Sequence, residues 1–403
     1  MMKKVKLGSL IEFQRGYDLT HENMKGGPYP VVGSTSTIGF HDEFKVSDGI
    51  VIGRSGSVGK PQLIRGPYWP HNTALFSTTI KGNDLDYMYY LVENLGLDRM
   101  KTGSNIPTLN RNDLYPITVR AETDPAIQKK LALPLVTIDS MITNNNAIIS
   151  ELESMAKDIY DYWFVQFDFP DENEKPYKSS GGKMVWCEEL KREIPEGWDV
   201  RSINSLVSTS RGISYSTETI TGSSGVPMIN LASFNVDASY KPSGLKVFSG
   251  SYSKEDVLKP FDLIMCNTQQ TDLDPKKDII GKTMLVPDVF DGDIVSSHHI
   301  TKLLTDDLSM RVFLNATGKT RWFHKAMSGH CSGTSILGLD VKHALEYKLA
   351  IPGRSIRELF LNKLMPMEKE KCVLMKENAE LTSLRDWLLP MLMNGQVKVG
   401  GVA

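Results

Sequence analysis

Between Leu131 and Trp163 the apolar residues fall at alternating steps of four and three. They are Leu131, Leu135, Ile138, Ile142, Ile149, Leu152, Ala156, Ile159 and Trp163, with Asn145 in the one polar slot. This seven-residue rhythm predicts a long helix that winds against another helix. A second run near the C-terminus places Met367, Leu374, Leu381 and Leu388 seven apart, with Leu384 and Met391 on the same side. Pro134 lies in the first turn of the first run and Pro366 just before the second, 366 − 134 = 232 positions apart, and at that offset Leu152 meets Leu384 and Ile149 meets Leu381. The pattern reads as domain, helix, domain, helix.

Residues 1 to about 120 mix strands with a helix. Tyr29–Gly33 and Gly49–Ile52 have strand character and are bounded by turn-formers, Gly26-Gly27-Pro28 and Ser47-Asp48. Asp84 to Leu97 has a helical rhythm, and Tyr115–Val119 returns to strand. Asp124-Pro125 starts a helix, with Asp as cap and Pro in the first turn. Pro134 is expected to interrupt it, leaving a short helix, a kink, and a long helix to about Phe164. Residues 167–197 form a linker rich in Pro, Gly, Ser and charge, whose Trp186, Leu190, Ile194 and Trp198 predict that it packs down.

From Val200 the first segment repeats. Val5–Leu10 resembles Val200–Leu206 with one extra residue, and Arg15-Gly16-Tyr17 echoes Arg211-Gly212-Ile213. Tyr29–Val32 echoes Val226–Ile229, Val58-Gly59-Lys60 echoes Ile280-Gly281-Lys282, and Gly103–Ile106 echoes Gly333–Ile336, with Leu109 and Leu339 following. The shared order, closed each time by a heptad helix, predicts an internal duplication.

Composition changes this picture little. A chain of 403 residues has room for two or three domains, and 40% hydrophobic with 23% charged residues is ordinary for a soluble protein. A net charge of −2 argues against a uniformly basic molecule but allows a local basic face. Four scattered cysteines without a CxxC suggest neither a zinc ribbon nor a disulfide framework, and fit a reducing cytoplasm. The N-terminus lacks the apolar core of a signal peptide, and no stretch is apolar enough to span a membrane.

Candidate chemistry is thin. Gly53–Lys60 invites a P-loop reading, but Arg54 stands where the first glycine belongs and Pro61 follows the lysine. A glycine loop carrying Arg54, Ser57 and Lys60 suits a phosphate backbone better. Glu43-Phe-Lys45 and Asp274-Pro-Lys276 have the local form of a nuclease site, the second with Asp262 as partner, yet a solvated loop accounts for each. His298-His299 and the group His324, His330, Cys331 could ligate a metal but lack acidic company. No metal site and no catalytic set is therefore assigned.

The features favouring nucleic acid are distributed over marked loops. In the first segment they are Arg15, Tyr17, Arg54, Ser57, Lys60, Asn72, Lys101, Asn105 and Arg111. In the second they are Arg211, Asn267, Gln269, Gln270, Lys276, Lys277, Lys282, His298, Arg321 and Ser335. Arg and Lys can clamp guanine edges, and Asn and Gln adenine edges. Amides beside cations in both repeats raise the DNA reading above a solvated loop.

Several stretches resemble one family, the DNA-specificity (S) subunits of type I restriction–modification systems. Lys157-Asp-Ile-Tyr-Asp-Tyr-Trp-Phe-Val-Gln-Phe-Asp-Phe-Pro170 is similar to the family's end of the central helix. Glu193-Ile-Pro-Glu-Gly-Trp198 resembles its entry to the second recognition domain, and Leu384–Gly395 its C-terminal helix ending. Tyr29–Gly33, Gly39-Phe40 and Trp69-Pro-His-Asn72 look like first-domain landmarks. The resemblance implies an α+β chain with two globular target-recognition domains in tandem repeat, each followed by a long helix, the helices forming an antiparallel coiled coil. The expected boundaries are 1–120 for the first recognition domain, 121–166 for the central helical region and 167–196 for the linker. The second recognition domain is expected at 197–352, the C-terminal helical region at 353–396 and a tail at 397–403. The resemblance implies a non-catalytic, cytoplasmic subunit that reads a bipartite double-stranded DNA target and docks two methyltransferase subunits and the restriction (motor-nuclease) subunits. S-adenosylmethionine, ATP and Mg²⁺ would sit on those partners. A metal-dependent nuclease and a coiled-coil scaffold without a DNA role stay open as other classes.

Overall fold

The run Gly49-Ile50-Val51-Ile52 is apolar at successive positions because its strand is covered on both faces. Ile50 and Ile52 join a core with Leu7, Phe13, Tyr87 and Leu91, while Val51 packs with Val32, Tyr68 and Phe76 on the other side. Leu263–Cys266 does the same farther along: Leu263 and Met265 enter one core, Ile264 and Cys266 another. The computed structural model describes residues 2–55, 59–97, 108–220, 222, 224–270, 278–334 and 336–397, with the side chain of Gln270 left aside. The fold is mixed α/β. It divides into unit 1, residues up to Asn144 and from Asn378 onward, and unit 2, Asn145–Glu377.

Unit 1 is built on a six-stranded sheet in the order Glu12–Arg15, Ala74–Thr79, Val46–Gly53, Pro61–Pro70, Tyr29–Val32, Thr37–His41. Helix α1 (Leu85–Asn94) starts where the Asp84 carboxylate accepts the Tyr87 amide, 2.9 Å. A short helix α2 (Arg111–Leu114), capped by Asn110, precedes the strand Thr118–Ala121. Strand character therefore begins later than the expected Tyr115, because Tyr115 and Pro116 close the helical turn.

Unit 2 repeats the frame in pieces. Ser208–Arg211, Ile300–Leu304, Leu263–Cys266 and Thr283–Leu285 form one sheet, and Lys246–Phe248, Val226–Ile229 and Val295–Ser296 another. The rest includes the helices α4 (Leu308–Gly318), α5 (Arg321–Ser328) and α6 (Val341–Ala344). The stretch expected as a linker is folded: Met184–Cys187 pairs with Arg192–Pro195, and the Asp168 carboxylate accepts from the Ser179 amide and hydroxyl at 2.7 and 2.6 Å. Ile194 and Trp198 are buried with Phe164 and Phe169, whereas Trp186 is 58% exposed and takes no part.

Local hydrogen bonds recur between the units. Leu7 N donates to Ile117 O as Ile203 N does to Tyr347 O, Ile11 N to Leu7 O as Val207 N to Ile203 O, and Gly16 N to Ala74 O as Gly212 N to Ile300 O. The offset is a constant 203 − 7 = 196, so the extra residue expected between Val5 and Leu10 is absent and Arg201, not Val200, stands opposite Val5. Gly16 and Gly212 answer one requirement: a Cβ at either would overlap the carbonyl of His71 or Ser297.

Helix α3 (Pro125–Tyr160) begins as expected, with the Asp124 carboxylate accepting from Ala126 N. Pro134 does not break it. A proline removes one backbone bond and crowds the preceding turn; here Leu131, Ala132 and Leu135 around it are sunk in the core of unit 1. A π-helical turn, Asp161–Val165, finishes the run. Every residue of the heptad seam from Leu131 to Trp163 is buried or half-buried.

Helix α7 (Arg354–Met393) also contains its proline, Pro366. Its inward positions are Phe360, Leu364, Met367, Lys371, Leu374, Asn378, Leu381, Arg385, Leu388 and Leu392. These match the α3 seam one for one at 360 − 131 = 229, not 232. The prolines misled because neither is a seam residue. Leu384 is 44% exposed: after Asn378 to Leu381, a second step of three rotates off the stripe, and Arg385 takes the slot.

Candidate nucleic-acid interface

In unit 1 an open cleft of about 610 Å³ is lined by Gln14, Arg15, Gly16, Tyr17, Asp18, Arg54, Leu75 and the segment Thr108–Arg111. Four residues expected to touch DNA, Arg15, Tyr17, Arg54 and Arg111, thus come together from three separate stretches. Arg15 ends its strand and Arg54 follows its own, while Leu109 N bonds Arg54 O at 2.9 Å, which draws Arg111 to the same edge. The Tyr17 ring leans on Trp69 and Phe76, with centroids 6.2 and 5.8 Å away. Lys45, which loop reading missed, lies over Trp69 at 4.4 Å. Asn72 and Arg15 both donate to one carboxylate oxygen of Asp18, Arg15 at 2.9 Å. Lys60 is exposed.

Unit 2 builds a second cleft, about 340 Å³, from Thr209, Arg211, Asn267, Thr268, Thr301 and Gly338–Val341. Leu339 N bonds Asn267 O at 2.9 Å, the counterpart of Leu109 on Arg54. Asn267 is 5% exposed, and its amide is satisfied inside: Nδ2 donates to Thr301 Oγ1 at 2.8 Å and to His298 O at 3.3 Å, while Oδ1 accepts from Thr268. Arg211 Nε also donates to His298 O, 2.7 Å. His298 lies against His299 with centroids 3.9 Å apart and the rings tilted by 41°, and the Nδ1 atoms of both lack a partner among the described residues. Burial, then the charge of Arg211, pushes His298 below the usual imidazole range; burial, then His298, takes His299 down to about 4. Both rings are therefore neutral near pH 7.

Other expected residues lie elsewhere. Lys282 donates to Val236 O, and burial lowers its pKa. Gln269 sits on a strand, accepting from Ile279 N at 3.2 Å. Arg321 opens α5 and lines a different groove with Tyr160, Val165 and Trp322. Ser57, Lys101, Asn105, Lys276, Lys277 and Ser335 lie outside the described residues, as does Asp274. Asp262 accepts from Arg311 at 3.2 Å and from Lys259 N at 2.8 Å, which accounts for it without a metal.

No family model matches the chain. A curated relative is the type I restriction enzyme MjaIX specificity subunit of Methanocaldococcus jannaschii, 22% identical over 321 residues, which are 78% of this chain and 69% of the relative. The chain is a relative of the type I specificity subunits. A solved type I restriction–modification S subunit from M. genitalium shares the fold, with a TM-score of 0.58 at 16% identity, covering 98% of this chain and 96% of its own. The two clefts stand at the same place, each in its own frame.

Proposed function

We propose that this chain is the DNA-specificity subunit of a type I restriction–modification complex, non-catalytic itself and reading a bipartite duplex target. The observation that supports the reading is the pair of clefts on one backbone frame, each held by an equivalent bond within its own unit, Leu109 N to Arg54 O and Leu339 N to Asn267 O. One frame with two linings suits two half-sites of different sequence. Arg15, Arg54 and Arg111 would serve the first half-site and Arg211 with the His298-His299 turn the second; the cations hold phosphates or guanine edges, and amides adenine edges. In this reading the frames are tandem target-recognition domains within 1–120 and 197–352.

The helical regions, 121–166 and 353–396, would form an antiparallel coiled coil that sets the gap between half-sites. Within unit 2, Asn145 meets Glu377, Glu153 meets Lys371 and Tyr160 meets Phe360, so partners descend along α7 as they ascend α3. Apolar residues remain exposed on both helices: Met141, Ile148 and Met155 on α3 and Tyr162 on the π-helical turn that follows stand seven apart, and Leu359, Val373 and Trp387 fourteen apart on α7. These stripes would dock the two methyltransferase subunits, with the restriction subunits joining that assembly. S-adenosylmethionine would be bound by the methyltransferase, and ATP and Mg²⁺ by the motor-nuclease. The test is co-expression with the methyltransferase followed by methylome sequencing. One split motif is expected, with Arg54→Ala altering one half and Arg211→Ala the other. Methylation that follows no split motif would overturn the reading.

A further inference from the structure

Among the described residues, Asp18 is the one carboxylate lining the cleft of unit 1, beside three arginines. A negative charge there opposes DNA phosphates. It adds little stability in return, because the Arg15–Asp18 pair is exposed, with side chains 53% and 74% accessible, and such pairs contribute about 0–1 kcal/mol. What distinguishes Asp18 is convergence. Its Oδ1 accepts from Arg15, three residues away, and from Asn72, 54 residues away. The frame beneath is pinned: His71 reaches Leu19 O through Nε2 at 3.0 Å and Thr73 Oγ1 through Nδ1 at 2.9 Å, which ties the Asp18 segment to the turn carrying Asn72.

We propose that Asp18 is a positioning residue for sequence discrimination, holding Arg15 and Asn72 in one orientation toward the first half-site. The inference rests on the DNA-reading role given to unit 1. A carboxylate only accepts, so Asn72 must turn its NH₂ toward Asp18, and the amide then has a fixed polarity for a base edge. Arg15 likewise keeps one fork direction instead of sweeping to the nearest phosphate. Discrimination is gained and attraction to DNA is lost. In unit 2, at the constant offset of 196, this position is Ser214, and Arg211 is instead held by the His298 carbonyl.

The proposal predicts opposite changes in two quantities. In the complete complex with its methyltransferase, Asp18→Asn keeps the size of the side chain, removes the charge and lets Asn72 adopt either amide orientation. Binding to a random-sequence duplex is expected to tighten, and its salt dependence to steepen by up to about 0.9 in log–log slope, since Arg15 becomes free for one more phosphate. Preference for the first half-site is expected to fall five- to hundredfold at one or two positions, the range of a lost bidentate contact, with the second half-site unchanged. Asp18→Asn added to Arg15→Ala with Asn72→Ala should have no further effect on specificity. A wild-type complex that methylates a split motif while Asp18→Asn leaves both quantities unchanged overturns the positioning role alone; equal weakening on all sequences also overturns it, as the mark of a merely structural residue. A wild-type complex with no split motif overturns the DNA-reading role itself.

Discussion

Arg54 and Asn267 occupy the same place in two copies of one frame, and they behave in opposite ways. Each offers its carbonyl to a leucine amide at 2.9 Å. Arg54 lines an open cleft, while Asn267 is shut in with its amide satisfied by Thr301, Thr268 and the His298 carbonyl. The same contrast runs through the linings: Arg111 corresponds to Val341, Leu75 to Thr301 and Asn72 to His298. Backbone bonds carry what the units share, and side chains carry what each could read. A residue type suited to base contact is therefore no sign of base contact when the frame has claimed it.

The largest effect is expected from altering the helices that would join the clefts. Adding four residues after Asn144 and four after Glu377 lengthens both rods by about 6 Å, nearly two base pairs along DNA at about 34 Å per turn. Both half-sites should persist in the methylome with a gap one or two base pairs wider. Adding seven at each place keeps the heptad but mismatches the twist of DNA, and modification should largely vanish. An unchanged gap in the four-residue variant would separate the helices from the spacing.

Next in size is a charge cluster confined to unit 2. Burial alone would raise the pKa of Glu153, but Lys319 at 2.7 Å and Lys371, which is 4% exposed, outweigh it and hold Glu153 at about 2. Because the folded value lies below the usual 4.5, this stabilisation is present above pH 4.5 and is lost as pH falls toward 2. Glu153→Gln leaves Lys371 with Glu368 alone and should cost about 3 kcal/mol at neutral pH. Differential scanning calorimetry should find that loss shrinking toward pH 2. A loss that does not change with pH would point to packing instead.

Two smaller tests address the clefts directly. Asn267→Ala should destabilise the protein by about 1–3 kcal/mol, the cost of leaving buried polar groups unpaired, whereas Arg54→Ala should change stability by under about 0.5 kcal/mol and alter first-half methylation. Thermal melts of both variants decide this part of the comparison. Arg111→Val alone should make the salt slope of binding shallower by about 0.9, and Val341→Arg alone should steepen it by about 0.9, measured by titration at several salt concentrations.

The helices were legible because period is a property of single positions: the α3 seam is the buried face residue by residue. Register between the two helices was less legible, since prolines are conspicuous in a sequence yet both lie off the seam. Arg15, Tyr17, Arg54 and Arg111 were found as loop residues, and the structure gathers them. Asp18 escaped because its meaning comes from Asn72, 54 positions away, and no local pattern announces such a pairing. Arg321 shows the converse: an exposed cation at a helix start, suited to DNA by type, that lines another groove.

Of the inward positions on α7, three at seven-residue spacing are polar: Lys371, Asn378 and Arg385. Lys371 finds Glu153, and Arg385 finds Asp139 at 3.2 Å. A purely apolar seam could slip by a whole heptad and meet nearly equivalent neighbours. Here a slip of seven would part Lys371 from Glu153 and Arg385 from Asp139, leaving each with only the carboxylate of its own helix, Glu368 or Asp386. Within each unit a charged pair thus marks one register of the seam, as a key does in a shaft. If the helices set the gap in the way proposed, register would matter more than strength, since a rod settled one notch off would offer the wrong spacing.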